Sequence, residues 1–334
     1  MIRRAQSYGN QIIFIDGMWG SGKSLLGPLI SGFENVEKQK IDSIFEYICV
    51  LHFLEGSSLE DSSELLSLLA DRASFYSVSS REVNFRINEA TSVFENPHTL
   101  RYLKNLFKKD DGSFSDHLIK DKPSLNIMSH NILPISNPLI NAFKERLKLI
   151  VSEKHPIYLM SYWESYLPRV GEDPKEFTPS HGKKGNIPWF IKDEKEYLNA
   201  SPTDRAIICL RDLTVLKTGM MSLNSLNQDN LLIIPFESFV LQNNKEWINK
   251  ISNFLNKELK VDFSKKLNIP RKFLEDSNHY SASSLLEEKR YYQQLYQEIE
   301  EKSSTFYLEI LREIMRDYQD QDFGRKMPWE DVTP

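Results

Sequence analysis

The chain has 334 residues, 40% of them hydrophobic and 27% charged, with a formal net charge of -5. This is the balance of a globular protein of one large or two modest domains. It excludes a broad basic footprint for DNA or RNA, though not a local anion pocket built from a few lysines. The two cysteines, Cys49 and Cys209, make no disulfide framework and point to a reducing compartment. No stretch approaches the roughly 18 apolar residues of a membrane span, and the early run "IIFI" is too short for a secretory core. The expectation is a cytoplasmic chain that neither inserts in membranes nor binds nucleic acid.

"QIIFID" (11–16) is a short β-branched run of the kind buried in parallel sheets. A helix should follow from near Gly22 towards Gly32, bent by Pro28. "KIDSIFEYICVLHFLEG" (40–56) puts Ile41, Ile44, Phe45, Ile48, His52 and Leu54 near one helical face, with Gly56 as its stop. "SLEDSSELLSLLADRASFY" (58–76) predicts a polar-capped second helix, and "NPHTLRYLKNLFKKDDG" (96–112) a third with proline near its start. Between them, "SSREVNFRINEATSVFENP" (79–97) alternates Arg81, Asn84 and Arg86 with Val83, Phe85 and Ile87. That pattern suits a half-buried edge strand with its polar side in water. It also suits a row of donors for an anionic or hydroxylated acceptor.

"SLNIMSH" (124–130) is a strand opening into a loop, "LINAFKERL" (139–147) a short helix, and "LKLIVSE" (147–153) a second buried strand. The helix "IYLMSYWESYL" (157–167) follows Pro156, and its Tyr158, Tyr162, Trp163 and Tyr166 read as packing residues, one of them able to stack on a base. "PRVGEDPKEFTPSHGKKGNIPW" (168–189) is too long for a tight connection and suits a lid, with His181, Lys183 and Lys184 as solvated charges or as closers over a bound anion. A helix over 201–226, the strand "NLLIIPFESF" (230–239), a helix over 245–256 and a helical region over 285–318 complete the chain. Strands alternating with helices predict an α/β fold of three layers (α/β/α) around a central parallel sheet. A helical insertion at about 41–110, a helical C-terminal region, one domain over 1–318 and a polar tail over 319–334 are expected.

"GMWGSGKS" fits G-x-x-x-x-G-K-[ST], the phosphate-binding loop (P-loop). Gly17, Gly20 and Gly22 allow backbone amides of the loop, including those of Met18, Trp19 and Ser21, to turn toward an anion. The helix N-terminus behind them adds partial positive charge. Lys23 supplies a full charge and Ser24 a hydroxyl. The motif is strong for phosphate and silent on chemistry. A kinase or nucleotide hydrolase also needs an Mg²⁺ carboxylate at the end of a second apolar strand. "AIICLRD" ends in Asp212 but has helical spacing, and "LKLIVSE" ends in Glu153.

In four blocks the chain resembles the sulfotransferases that use 3′-phosphoadenosine 5′-phosphosulfate (PAPS). "FIDGMWGSGKSLL" is similar to their 5′-phosphosulfate loop, more often written Ser-Gly-Thr than Gly-Lys-Ser. "IMSHNILP" resembles the strand and loop that carry a catalytic histidine in cytosolic members. "LKLIVSEKHPIYLMSYWESYL" resembles the 3′-phosphate element, and "NLLIIPFESFVLQNNKEWINKISNFLN" the strand and helix that close the core. The blocks run in the family's order over most of residues 10–256; the C-terminal third matches nothing specific.

The resemblance implies a PAPS site made of the loop, Lys154 and Ser161, with adenosine 3′,5′-bisphosphate as product. The family usually has arginine where this chain has Lys154, which cannot grip phosphate bidentately. "CLRDLTVLKTG" offers Arg211 and Thr218 as an alternative element. Sulfuryl transfer needs no metal. Lys23 would neutralise charge on the leaving phosphate, and His130 would take the acceptor's proton, an imidazole being poised near physiological pH. Glu46 and Glu55 are the rival bases, because carbohydrate-acting members often use a carboxylate. The implied reaction is transfer to a hydroxyl of a small molecule, carbohydrate or glycoconjugate precursor, with Arg81, Asn84 and Arg86 as substrate-binding residues. A P-loop kinase using ATP and Mg²⁺, or a nucleotide-binding protein without catalysis, are the alternatives.

Overall fold

A computed structural model describes residues 4, 6–87, 89, 91–95, 98–110, 112–182, 185–223, 225–242, 244–261 and 282–321. Lys183, Lys184, the expected helix start at Asn96 and Pro97, and the tail beyond residue 321 lie outside them. The strands are β1 (Ile12–Asp16), β2 (Lys40–Ile41), β3 (Leu125–Met128), β4 (Leu147–Glu153), β5 (Ser180–His181), β6 (Ile187–Pro188) and β7 (Leu231–Pro235). Five form one parallel sheet in the order β2-β3-β1-β4-β7, while β5 and β6 make a small antiparallel hairpin.

β1 is buried along its whole length because both of its faces are covered. Ile12 and Phe14 point into one layer, where Phe14 meets Phe45 edge-on at 5.6 Å. Ile13 and Ile15 point into the other, against Leu26, Leu29, Ile30 and Ile251. The first layer holds helices Ile44–Phe53, Leu59–Val78, Asn137–Phe143, Pro156–Tyr166, Pro202–Ser222 and Thr305–Gln319; the second holds Leu26–Ile30 and Asn244–Leu255. This is the expected three-layer α/β/α arrangement around a parallel sheet. From β1 the chain moves to one side for β2 and β3, then returns to the other side for β4 and β7. Such a reversal leaves a crevice at the carboxyl end of the first strand, where ligands of open α/β sheets bind.

Several local expectations are corrected. Lys40–Ile41 is the edge strand β2, paired with Ile127 and Met128, and the helix starts only at Ile44. Pairing there satisfies backbone groups that β3 would otherwise leave open. Residues 79–97 form no strand among those described: the run is held by a single bridge, Asn84 to Ser92, and by Lys38 Nζ donating to the Thr91 carbonyl at 2.5 Å. Helices Ser113–Asp121 and Glu194–Asn199 were not anticipated. Ile187, Trp189, Phe190 and Ile191 are buried, so the end of the polar stretch is anchored in the core rather than hinged as a lid. The C-terminal region is two helices, Ala282–Lys302 and Thr305–Gln319. They break where Asp204 accepts from the Ser303 hydroxyl at 2.6 Å and the Ser304 amide at 3.2 Å. No helix among the described residues is long and apolar enough to cross a membrane.

Candidate functional site

The loop leaves β1 at Gly17 and ends at Gly22, from which a 3-10 turn, Lys23–Leu25, leads into helix Leu26–Ile30. This is the strand, loop and helix order that the motif requires. Gly22 has φ +84°, and a Cβ there would run into the Phe236 ring. At Gly17 a Cβ would meet the Ser152 carbonyl and lie 2.6 Å from Ser21 Oγ. Only glycine keeps both positions open.

Lys23 is buried, and its Nζ donates to the carbonyls of Gly17 (3.0 Å) and Met18 (3.1 Å). Burial pulls its pKa down to about 8, against the opposing pull of Asp16 and Glu46. Ser24 is exposed, one residue beyond the lysine. The Trp19 side chain is not open to a ligand. It packs on Trp163, Tyr166 and Phe190 at centroid distances of 4.9, 4.5 and 6.0 Å.

Neighbouring strand ends hold the loop in place. Asp16 accepts from the Ser129 hydroxyl (3.1 Å) and from the amides of Ile132 (3.1 Å) and Leu133 (2.8 Å). Ser152 Oγ donates to the Ser21 carbonyl at 2.8 Å, and the Asn131 amide to the Gly17 carbonyl at 3.3 Å. Lys154, just past β4, brings Nζ to 3.4 Å from the Gly20 carbonyl and 4.9 Å above the Phe236 ring. Ser161, in the second turn of the next helix, is exposed. A cleft at this edge is lined by Gly17, Ser21, Asn131, Lys154, Lys217 and Tyr318, among others.

His155 is structural. It is buried, its Nδ1 accepts from the Ile157 amide, and burial lowers its pKa to about 3. Glu237 accepts from the His155 amide (2.9 Å) and the Tyr318 hydroxyl (2.7 Å), joining β4, β7 and the last helix. Burial raises the pKa of this carboxyl.

The two rival bases stand side by side. His130 Nδ1 lies 3.0 Å from Glu46 Oε1, which also accepts the His130 backbone amide at 3.0 Å. Glu55 follows the far end of the Glu46 helix, about 13 Å along its axis at 1.5 Å per residue, and is exposed.

Arg211 grips Glu196 with two nitrogens, at 2.6 and 2.8 Å, and Asp212 with a third at 2.8 Å. Its donors are therefore turned to carboxylates, and Thr218 is exposed on the same helix. Arg81 pairs with Asp110, Arg86 with Glu89, and Asn84 donates to Glu89 and Thr91. None of these three lines the cleft, and neither do Lys23, Ser24, His130, Glu46 or Ser161.

Sequence reasoning missed Asp16, Asn131, Ser152 and Lys217. No motif signals them, since each matters through a partner more than a hundred residues away or through the shape of the cleft.

No family model matches the chain, and no curated protein matches it in sequence. In three dimensions it is similar to a sulfotransferase from Mycobacterium avium, at 13% identity and a TM-score of 0.43, over 95% of this chain and 77% of that one. A likeness this distant assigns neither activity nor ligand.

Proposed function

We propose that the chain transfers a sulfuryl group from PAPS to an acceptor hydroxyl of a small molecule or carbohydrate. The observation that carries this reading is the junction of Lys154 with the phosphate loop, 3.4 Å from Gly20. It sets a second cation against the loop whose Gly17 and Met18 carbonyls hold Lys23, at the end of the strand adjacent to β1. That pairing suits a nucleotide bearing phosphate at both its 5′ and 3′ ends. The glycine cradle at Gly17 and Gly22 and the buried hydroxyl of Ser21 fit the 5′ group.

When bound, PAPS supplies the sulfuryl group and leaves as adenosine 3′,5′-bisphosphate. Lys23 moves from the loop carbonyls to the anion and counters charge on the departing phosphate. His130 takes the acceptor's proton at Nε2, while Glu46, on Nδ1, fixes the ring and stabilises the charge it gains. Lys154 and exposed Ser161 receive the 3′-phosphate.

The kinase reading keeps one specific feature, Glu153, a carboxylate at the end of β4 beside β1 whose Oε1 pairs with Lys217 at 3.0 Å. Thermal unfolding separates the readings. Adenosine 3′,5′-bisphosphate at a hundred times its Kd, with chelator present, should stabilise the chain by about 2.7 kcal/mol. Stabilisation by Mg-ATP alone would replace the sulfotransferase with the kinase, and binding without turnover over a broad panel of hydroxyl acceptors would mark a non-catalytic binder.

A further inference from the structure

We propose that the Asn131 carboxamide and the Ser21 hydroxyl form the subsite for the terminal oxyanion that the loop presents for transfer. This deepens the PAPS reading above and rests on it.

Asn131 is 3% exposed and Ser21 1% exposed, and both line the cleft. Asn131 Nδ2 and Oδ1 and Ser21 Oγ are shielded from water and have no hydrogen-bond partner among the described residues. Three polar atoms in that condition, drawn from two residues that meet at one glycine, are a costly arrangement for a folded chain to keep. Each is tied to Gly17, Asn131 through its backbone amide and Ser21 through the space a Cβ would fill. Lys23 Nζ reaches the same glycine carbonyl. Ser21 Oγ and Lys23 Nζ therefore converge on the first residue of the loop, Asn131 is bonded to it through its backbone, and both Asn131 and Ser21 line the cleft where the end of the phosphosulfate would sit. An oxyanion drawn in by Lys23 gives Nδ2–H and Oγ–H the acceptor they lack.

Asn131 also has φ +55°, a conformation asparagine tolerates better than most residues, so it can be explained as a turn residue alone. Asn131→Gly separates the two explanations, since glycine keeps the backbone and removes only the amide. Calorimetric titration with PAPS and with adenosine 3′,5′-bisphosphate supplies the comparison, because only PAPS carries the terminal group. Asn131→Gly should weaken PAPS binding about tenfold, the loss of one hydrogen bond to a charged group. It should leave the bisphosphate within about twofold and the melting temperature unchanged. Asn131→Asp, which sets a carboxylate against the anion, should weaken PAPS further. Ser21→Ala gives an independent reading if the glycine variant fails to fold. Equal losses for both nucleotides, or no loss for either, overturn the subsite and leave Asn131 a turn residue with a buried water. A wild-type chain that binds neither nucleotide removes the subsite and the PAPS reading together.

Discussion

One oxygen of Glu46 receives both the Nδ1 and the backbone amide of His130, each at 3.0 Å. The double contact fixes the imidazole in position, and in the proposed reaction Nε2 is the nitrogen for proton transfer. A general base of this kind adds roughly 10²- to 10⁴-fold to a rate. His130→Ala should lower kcat by about that much and leave bisphosphate affinity unchanged. Glu46→Gln, which can still accept one hydrogen bond but carries no charge, should fall between alanine and wild type. A His130→Ala variant that loses melting temperature and nucleotide affinity together would make the pair a structural brace.

Lys23 is held near pKa 8 by burial. An anion in the loop favours its charged form, so binding should raise that value. Above about pH 8 the unliganded lysine is neutral, and binding must take up a proton; affinity should therefore decline as pH rises through 8. Titration at pH 8.5 in buffers of different ionisation enthalpy measures the uptake directly. Lys23→Ala should abolish both binding and the proton uptake, with the fold intact. Uptake that persists in the variant would move the titration to another group.

Lys154→Ala and Ser161→Ala should weaken adenosine 3′,5′-bisphosphate more than the analogue lacking the 3′-phosphate. Arg211→Ala should lower stability instead, because it removes the ion-pair partner of Glu196 and of buried Asp212 and leaves each only a neutral donor, Tyr307 and the Lys192 amide. Nucleotide selectivity lost in Arg211→Ala and kept in Lys154→Ala would move the 3′ site onto the long helix.

His155, neutral in the fold down to about pH 3, is protonated in the unfolded chain below its ordinary value. Between about pH 6.5 and 3 the unfolded state therefore binds the extra proton, and stability falls as pH falls, by about 1.4 kcal/mol per unit from this group. The raised Glu237 carboxyl acts in the opposite direction. Denaturant unfolding across this window should show a shallower acid limb for His155→Gln than for wild type. An unchanged limb would assign acid sensitivity elsewhere.

The loop, the parallel sheet and the long helices were legible because each is written locally. "IIFID" is apolar without interruption, and "GMWGSGKS" has its glycines where backbone must turn. β2 was not legible: two residues at a sheet edge have no period, and only the exposed edge of β3 makes Lys40 and Ile41 extended. The alternation at Arg81, Asn84 and Arg86 misled because it is satisfied by nearby acids rather than by a neighbouring strand. The place of Lys154 after a buried strand and before Pro156 was readable, but its contact with the Gly20 carbonyl was not. That His130 and Glu46 are partners was not, since 84 residues and a helical crossover separate them in the chain.

Trp19 stands in the glycine-rich loop after β1 and lies 4.9 Å from Trp163, on the helix that carries Ser161. Two indoles so close exchange excitation and share one environment, and Tyr166 and Phe190 close the cluster around Trp19. The chain thus has a fluorophore built into the loop itself. If the chain binds a nucleotide as proposed, tryptophan emission should follow its arrival in a stopped-flow trace without any label, and a Trp19→Phe variant identifies which part of the signal belongs to the loop.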